Sequence, residues 1–282
     1  MTDCTDSRPV SRRLTELAQK SCIPLTVTME LTKQCNLSCV HCYNFDRSDP
    51  TKLPRNELRS NEILKLIDEL ATLGTLFLSF SGGEATIDKN LESYIRRARK
   101  HFMQVGLKSN GIAPDGLYAN LANAGVSEFH ISLYGASPQT HDRITTRAGS
   151  FKRTLAGIEA IAKTKKHLRL NYIVPKTSAH EIAQMKAIAT QYQAASSFVF
   201  NFTGRYDGTN EPKSLSLGKQ ELMNLLTNHF QEPSLTPDFN PNRNMDCACA
   251  KTNCGITSTG DVYPCIGCPI PSGNIRQQSI RE

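Results

Sequence analysis

From residue 24 to residue 202 the apolar positions follow two alternating rhythms. The first is short and dense: PLTVTMEL (24–31), TLFLSF (75–80), QVGLKSNG (104–111), SEFHISLYG (127–135), HLRLNYIV (167–174) and SSFVFNF (196–202). Their length and their β-branched and aromatic content predict strands. The second is helical. In RSNEILKLIDELATLG (59–74), Ile63, Leu64, Ile67, Leu70 and Leu73 share one face, with Ser60 or Asn61 placed to cap the start and Gly74 the end. Further helices are predicted over 89–102, 114–125, 149–165 and 178–192.

Strand and helix alternate, which is the signature of a parallel sheet joined by right-handed crossovers. The fold class is therefore α/β, and six such units predict an open, partial (β/α)6 TIM-like barrel. In such architectures the loops after the strands build the site. CNLSCVHC (35–42) follows the first strand, SGGEAT (81–86) the second, KSNG (108–111) the third and SLYG (132–135) the fourth. All four unusual loops should share one face. Beyond 202 the texture changes: a polar connector (203–218), one helix (218–230), a Pro- and Asn-rich linker (231–244), then a cysteine-rich tail. The expected division is an N-terminal extension at 1–22, the barrel at 23–240 and a small C-terminal cysteine-rich domain at 241–282.

Composition narrows the function classes. A chain of 282 residues buries roughly three-quarters of its unfolded surface, so it needs no covalent staples to fold. No apolar run approaches bilayer length, and the first residues carry acids and no apolar core, so neither a membrane span nor a secretory signal is expected; the chain reads as cytoplasmic. The net charge of +7 is spread along the chain. Its clusters at 96–100 and 163–166 lie on predicted exposed helix faces, so nucleic acid is not expected as a partner. The sign suits an acidic peptide or another carboxylate-bearing substrate.

The ten cysteines change the picture most. They stand at 4, 22, 35, 39, 42, 247, 249, 254, 265 and 268, and eight of them fall in two clusters. In a reducing compartment such clustering points to metal ligation rather than disulfides. Cys4 and Cys22 lie outside both clusters and read as incidental. The first cluster, Cys35-x3-Cys39-x2-Cys42, offers three thiols. A structural zinc takes four ligands, and the fourth would have to be His41 in a loop already wrapped by thiolates. A four-iron cluster held by three thiolates instead keeps one iron open for a small molecule. The tail cluster fits either a zinc ribbon, with its C-x2-C knuckle, or iron–sulfur ligation.

CNLSCVHC after a first strand resembles the motif of the radical S-adenosylmethionine (SAM) superfamily. Gly82, Gly83 and Glu84 match that family's GGE motif, and SLYGASPQTHDRITTRAGSF (132–151) is similar to the fourth-strand region of its peptide- and tetrapyrrole-modifying members. GDVYPC (260–265) with GNI (273–275) resembles the SPASM and Twitch subfamily, whose small domains bind auxiliary iron–sulfur clusters. The resemblance covers about residue 20 onward. It implies that Cys35, Cys39 and Cys42 hold a [4Fe-4S] cluster that binds SAM. His41 would lie near the adenine, Gly83 would let the backbone approach SAM, and the 82–84 stretch would receive the methionine ammonium. Asn110 and Ser132 would contact ribose and methionine groups. Cys254, Cys265 and Cys268 would hold at least one auxiliary cluster, with Cys249 preferred to Cys247 for the remaining place. Arg205 and Asp207 read either as reaching the barrel mouth or as surface connector.

The implied activity is reductive cleavage of SAM to a 5′-deoxyadenosyl radical and hydrogen abstraction from a substrate. The expected substrate is a ribosomally made peptide undergoing crosslinking or epimerisation. The alternative is tetrapyrrole side-chain modification in haem or haem d1 biosynthesis; a non-catalytic metal-binding or electron-carrier protein is the reading from another class. An electron donor such as flavodoxin or ferredoxin is implied. The 22 residues ahead of the barrel are too few for a leader-binding domain, so a separate leader-peptide-binding protein is expected. The subfamily's further cysteines do not follow GNI before Glu282, which reads either as one auxiliary cluster or as a shortened tail.

Overall fold

The computed structural model describes residues 9–45, 49–230, 249–265, 267–268 and 270–282. Its centre is one sheet with strand order β6-β5-β4-β3-β2-β1-β7-β8-β9. The first six strands, β1 (Thr26–Glu30), β2 (Phe77–Ser81), β3 (Gln104–Ser109), β4 (Val126–Leu133), β5 (His167–Ile173) and β6 (Ala195–Val199), pair in parallel, each beside its predecessor. This is the predicted run of β/α units, and all six strand expectations fall on these segments.

The helices between them are α2 (Ser60–Leu73), α3 (Leu91–Lys100), α4 (Leu117–Ala124), α6 (Ser150–Ala162) and α7 (Ile182–Gln191), and α8 (Lys219–Phe230) follows β6. Strands β1 to β5 alternate in burial. Val27, Met29, Leu78, Phe80, Val105, Leu107, Phe129, Ile131 and Leu170 are completely buried under the helices. The intervening positions point the other way, into the barrel, and stay partly exposed. Helix α2 ends as expected, with Gly74 left-handed at φ 99°. Its start differs: Arg59 is the cap residue, because Glu62 reaches back to the Arg59 N–H at 2.8 Å.

Two helices were not anticipated. Helix α1 (Val10–Lys20) occupies the stretch read as an extension. Helix α5 (Pro138–Thr145) starts at Ser137, whose hydroxyl accepts from the Thr140 N–H, with Pro138 in the first turn. Its buried residues are His141, Ile144 and Thr145, so no apolar stripe marked it.

The tail does not hang apart from the barrel. Strand β7 (Asn253–Ile256) pairs in parallel with β1, placing Cys254 opposite Val27. Strands β8 (Asp261–Tyr263) and β9 (Gly273–Asn274) then turn back antiparallel. The expected boundary near 240, the linker before it, Cys4 and Cys247 lie outside the described residues. No helix is long and apolar enough to cross a membrane among the described residues.

Candidate active site

The loop after β1 carries Cys35, Cys39 and Cys42, and three neighbours hold it. From the α5–α6 side, the Thr145 and Ile144 carbonyls accept from Ser38 N (3.3 Å) and Val40 N (3.0 Å). The Arg147 guanidinium donates to the Asn36 carbonyl at 2.8 Å, and the Thr146 hydroxyl to the Ser38 carbonyl at 2.9 Å. From β3, the Asn110 amide donates to Asn36 Oδ1 at 2.6 Å and to Cys35 Sγ at 3.8 Å. The Leu37 N–H also points at Cys35 Sγ, 3.4 Å away. Hydrogen bonds to sulfur tune the electronics of any metal the thiolate holds.

The β2 loop closes the other side. Gly83 N donates to the Thr32 carbonyl (2.7 Å) and Glu84 N to the Gln34 carbonyl (2.8 Å). The glycines are dictated by this approach: a Cβ on Gly83 would sit 2.1 Å from the Gln34 oxygen, and one on Gly82 2.4 Å from the Thr32 oxygen. Glu84 is 1% exposed and turned inward. Its carboxylate accepts from Asn110 N at 2.8 Å and from the Thr86 N–H and hydroxyl at 3.1 and 2.7 Å, so it binds the β2 loop to the β3 loop. Burial raises its pKa against those donors. Asn110 is 7% exposed. Ser132, half-buried on the inner face of β4, lies beside Tyr134, whose ionisation is opposed first by burial and then by Cys39, Cys35 and Cys42 together. All three thiols therefore gather round one tyrosine.

The His41 ring packs tilted against Tyr134, centroids 4.6 Å apart, and edge-on to Phe202 at 6.0 Å. Burial, with nearby His141 second, lowers its pKa to about 4, so the ring is neutral at physiological pH. Its Nδ1 is buried without a hydrogen-bond partner, as is the Nε of Arg205. Arg205, 8% exposed at its side chain, reaches the mouth of the barrel: it pairs with Glu211 at 2.7 Å and points Nη2 at the Val40 carbonyl, 3.4 Å away. Asp207 turns aside to Lys52 at 2.6 Å.

In the tail, Cys265 and Cys268 form an antiparallel bridge, with Cys268 N donating to the Cys265 carbonyl at 3.0 Å. Ala250 N contacts the Pro264 carbonyl at 3.3 Å, which brings Cys249 to the same corner. Cys254 packs against the core, where burial pushes its thiol up to about 12; it lines a cavity of about 290 Å³ with Cys22 and Tyr263. Cys22 thus lies closer to the tail site than its isolation in sequence implied. Among the described residues no three His, Cys, Asp or Glu side chains are packed as ligands of a single metal ion. A four-iron cube spreads its thiolates over separate corners, whereas a zinc draws all four to about 2.3 Å.

An aromatic bridge links the two cysteine sites. Tyr43, next to Cys42, lies 5.3 Å from Tyr206, and Tyr206 lies 5.7 Å from Tyr263, two residues before Cys265. Beneath it, Glu30 (1% exposed) accepts from Tyr43 Oη at 2.7 Å and from Lys33 Nζ at 2.6 Å. A second link is Glu57, whose carboxylate accepts from Lys33 N (2.5 Å), the Thr32 hydroxyl (2.9 Å) and the Ser258 hydroxyl of the tail (2.9 Å). Sequence reading missed Asn36, Glu30 and Glu57. Asn36 stood inside the cysteine motif, but nothing local marked the other two.

A three-thiol loop, a glycine cradle that no Cβ can enter, and an orphaned neutral imidazole fit a cluster with a bound sulfonium nucleotide. The radical SAM superfamily model matches residues 29–187, more than half of the chain, and the model of an iron–sulfur cluster-binding domain, SPASM, matches residues 247–282. The chain belongs to the radical SAM superfamily; it is a SAM-dependent enzyme whose domains imply a [4Fe-4S] cluster, SAM and auxiliary iron–sulfur clusters. Among its relatives is the AdoMet-dependent heme synthase of Methanosarcina barkeri, 30% identical over 92% of this chain and 81% of that one. The PqqA peptide cyclase of Granulibacter bethesdensis is 26% identical over 92% of this chain and 72% of its own. The crystal structure of Streptococcus suis SuiB shares the fold with a TM-score of 0.72 at 16% identity, covering 96% of this chain and 68% of SuiB.

Proposed function

We propose that this enzyme matures a ribosomally made peptide in the cytoplasm, forming a crosslink or inverting a centre after hydrogen abstraction. The observation that carries the reading is the union of barrel and SPASM tail in one sheet, across the chain length over which a peptide cyclase aligns. Cys35, Cys39 and Cys42 hold the SAM-binding cluster, and Cys249, Cys254, Cys265 and Cys268 the auxiliary one. When bound and reduced, the cluster supplies an electron that cleaves SAM into methionine and a 5′-deoxyadenosyl radical able to take hydrogen from an unactivated carbon. The chain's own residues place the reactants. Neutral His41 would meet the adenine, Asn110 and Ser132 would meet the ribose and methionine groups, and Gly82 and Gly83, which let the β2 loop lie against Thr32 and Gln34, would leave that loop's backbone to receive the methionine ammonium. Tyr134 and Phe202 wall the imidazole from water. The electron comes from a flavodoxin or ferredoxin.

Tetrapyrrole modification is the second reading. It is favoured by the heme synthase likeness, which extends over 81% of that relative.

The test is anaerobic reconstitution, iron and sulfide counting, and reduction with SAM. About four irons per chain means one cluster and about eight means two. Cys39→Ala should abolish 5′-deoxyadenosine formation while the tail keeps its iron. Wild-type protein with a reduced cluster and no 5′-deoxyadenosine defeats the enzymatic reading. With turnover established, a candidate precursor peptide that loses two hydrogens on crosslinking or takes up one solvent deuterium at an inverted centre, or a carboxylated porphyrin that loses carbon dioxide, decides between substrates.

A further inference from the structure

We propose that the inner face of the barrel carries an anion-binding subsite centred on the Lys108 ammonium, which takes a carboxylate of the substrate. The proposal rests on the reading above that the chain modifies a substrate, and it names the chemistry that substrate must present.

A closed eight-stranded barrel fills its interior with layers of Val, Ile and Leu, whereas this sheet is open. Here the inward-facing positions are polar. Thr28 pairs in register with Ser79 and Ser79 with Gly106, while Lys108 pairs with His130 and His130 with Arg169. These residues are partly exposed, although their outward neighbours are completely buried. The inside of the barrel is therefore built to meet something polar.

The charges inside are unevenly matched. Glu30 is already held by Lys33 and Tyr43. Glu128 is held by His130 at 3.1 Å and by Arg169 at 3.3 Å. Burial lowers the pKa of His130, against the pull of Glu128. Both acids thus have partners. Lys108 donates to the Thr28 hydroxyl at 3.3 Å, and among the described residues no carboxylate lies within salt-bridge distance of it. Burial lowers its proton affinity, opposed by the more distant Glu30. A half-buried ammonium with one long neutral hydrogen bond retains donors to give. A carboxylate entering from the mouth would receive a charge-assisted bond where little water competes. Lys108 lies on β3 two residues before Asn110, whose amide reaches Cys35 Sγ in the cysteine loop, so a group bound there lies near that loop.

Two sources present this chemistry: the acidic side chains of a peptide and the propionates of a tetrapyrrole. The test measures anaerobic binding of two probes to the reconstituted protein, iron coproporphyrin and a synthetic glutamate-rich peptide. Lys108→Met should weaken one probe at least tenfold and Lys108→Arg should restore most of the affinity. The exposed-site control Lys165→Met should change nothing. The arm that responds identifies the source. A second measurement guards against a misfolded variant: in wild-type protein with ¹³C-labelled lysine, the Lys108 ε-carbon resonance should shift on saturation with that probe. Equal affinities in wild type and Lys108→Met for both probes, or an unmoved Lys108 resonance at saturation, would overturn the subsite. Binding is read without turnover, so a failure of SAM cleavage counts against the proposed function, and a missing Lys108 effect counts against the subsite.

Discussion

At the scale of single residues, the site is governed by close approach and burial. Gly83 shows the first. Any side chain there meets the carbonyls of Gln34 and Lys33 at 2.1 and 2.6 Å, and backbone cannot step aside as a flexible side chain would. Gly83→Ala should cost about 1–3 kcal/mol of stability. It should also weaken SAM binding by at least tenfold, read by calorimetry, without removing iron from the tail. His141 shows the second. Its Nδ1 accepts from the Tyr134 N–H at 3.3 Å and its ring packs on Tyr134 and Phe151. Burial lowers its pKa from 6.5 to about 4. The sign follows: the folded state disfavours the proton, so this contribution is fully present above pH 6.5 and is lost as pH falls toward 4. The loss is at most about 1.4 kcal/mol per pH unit. Melting temperature should therefore drop over that window, and His141→Gln should flatten the drop.

At the scale of elements, the contacts that matter join segments far apart in sequence. Glu57 ties the approach to the cysteine loop to Ser258 of the tail, and Leu58 N donates to the Ser258 carbonyl at 2.6 Å. Arg276 adds bonds to the Asn56 and Glu57 carbonyls and a forked pair with Glu62 at 2.6 and 2.8 Å. Glu57→Ala removes an acceptor for three donors, at about 1 kcal/mol each. It should destabilise the protein by about 2–4 kcal/mol in denaturant titration, with faster amide exchange at both 30–36 and 256–260. The Arg276 bond, first, holds Glu62 down at about 2. That contribution is present above about pH 4.5 and lost as pH falls through 2; the pair is open to solvent, so its weight is small.

The β/α alternation was legible because a strand buried under helices must be continuously apolar on that side, as Val105, Leu107 and Ile131 are. Helix α5 was not, because His141 and Thr145 face inward with a single Ile144. Cys35, Cys39 and Cys42 were readable as a set because metal ligation imposes a local spacing. Glu57, Glu30 and Arg205 were not, because their partners are distant in the chain.

At the scale of the whole molecule, barrel and tail share one sheet and one aromatic bridge. Tyr206 is the middle of that bridge, set by its own N–H donating to the Tyr43 carbonyl at 2.8 Å. Tyr206→Ala should loosen the tail: iron bound by the tail should fall relative to iron bound at the first site, and limited proteolysis should cut the tail earlier. Tyr206→Phe keeps the ring and should retain more tail iron than Tyr206→Ala, since ring packing joins Tyr43 to Tyr263. Unchanged iron distribution in Tyr206→Ala would show that the bridge does not hold the two parts together.

The amino-acid sequence alone determined what repeats locally: the alternating elements, the three-cysteine loop, the glycines after β2, and the cysteine-rich tail. Periodicity and ligand spacing are properties of neighbouring residues, so they survive without coordinates. Tertiary structure alone decided which charges find partners. It seated the tail as the seventh parallel strand, turned Glu84 inward, gave Glu30 and Glu128 their cations, and left Lys108 with a hydroxyl. Those outcomes depend on strand register and on which side chains meet across the barrel, and no window along the chain contains them.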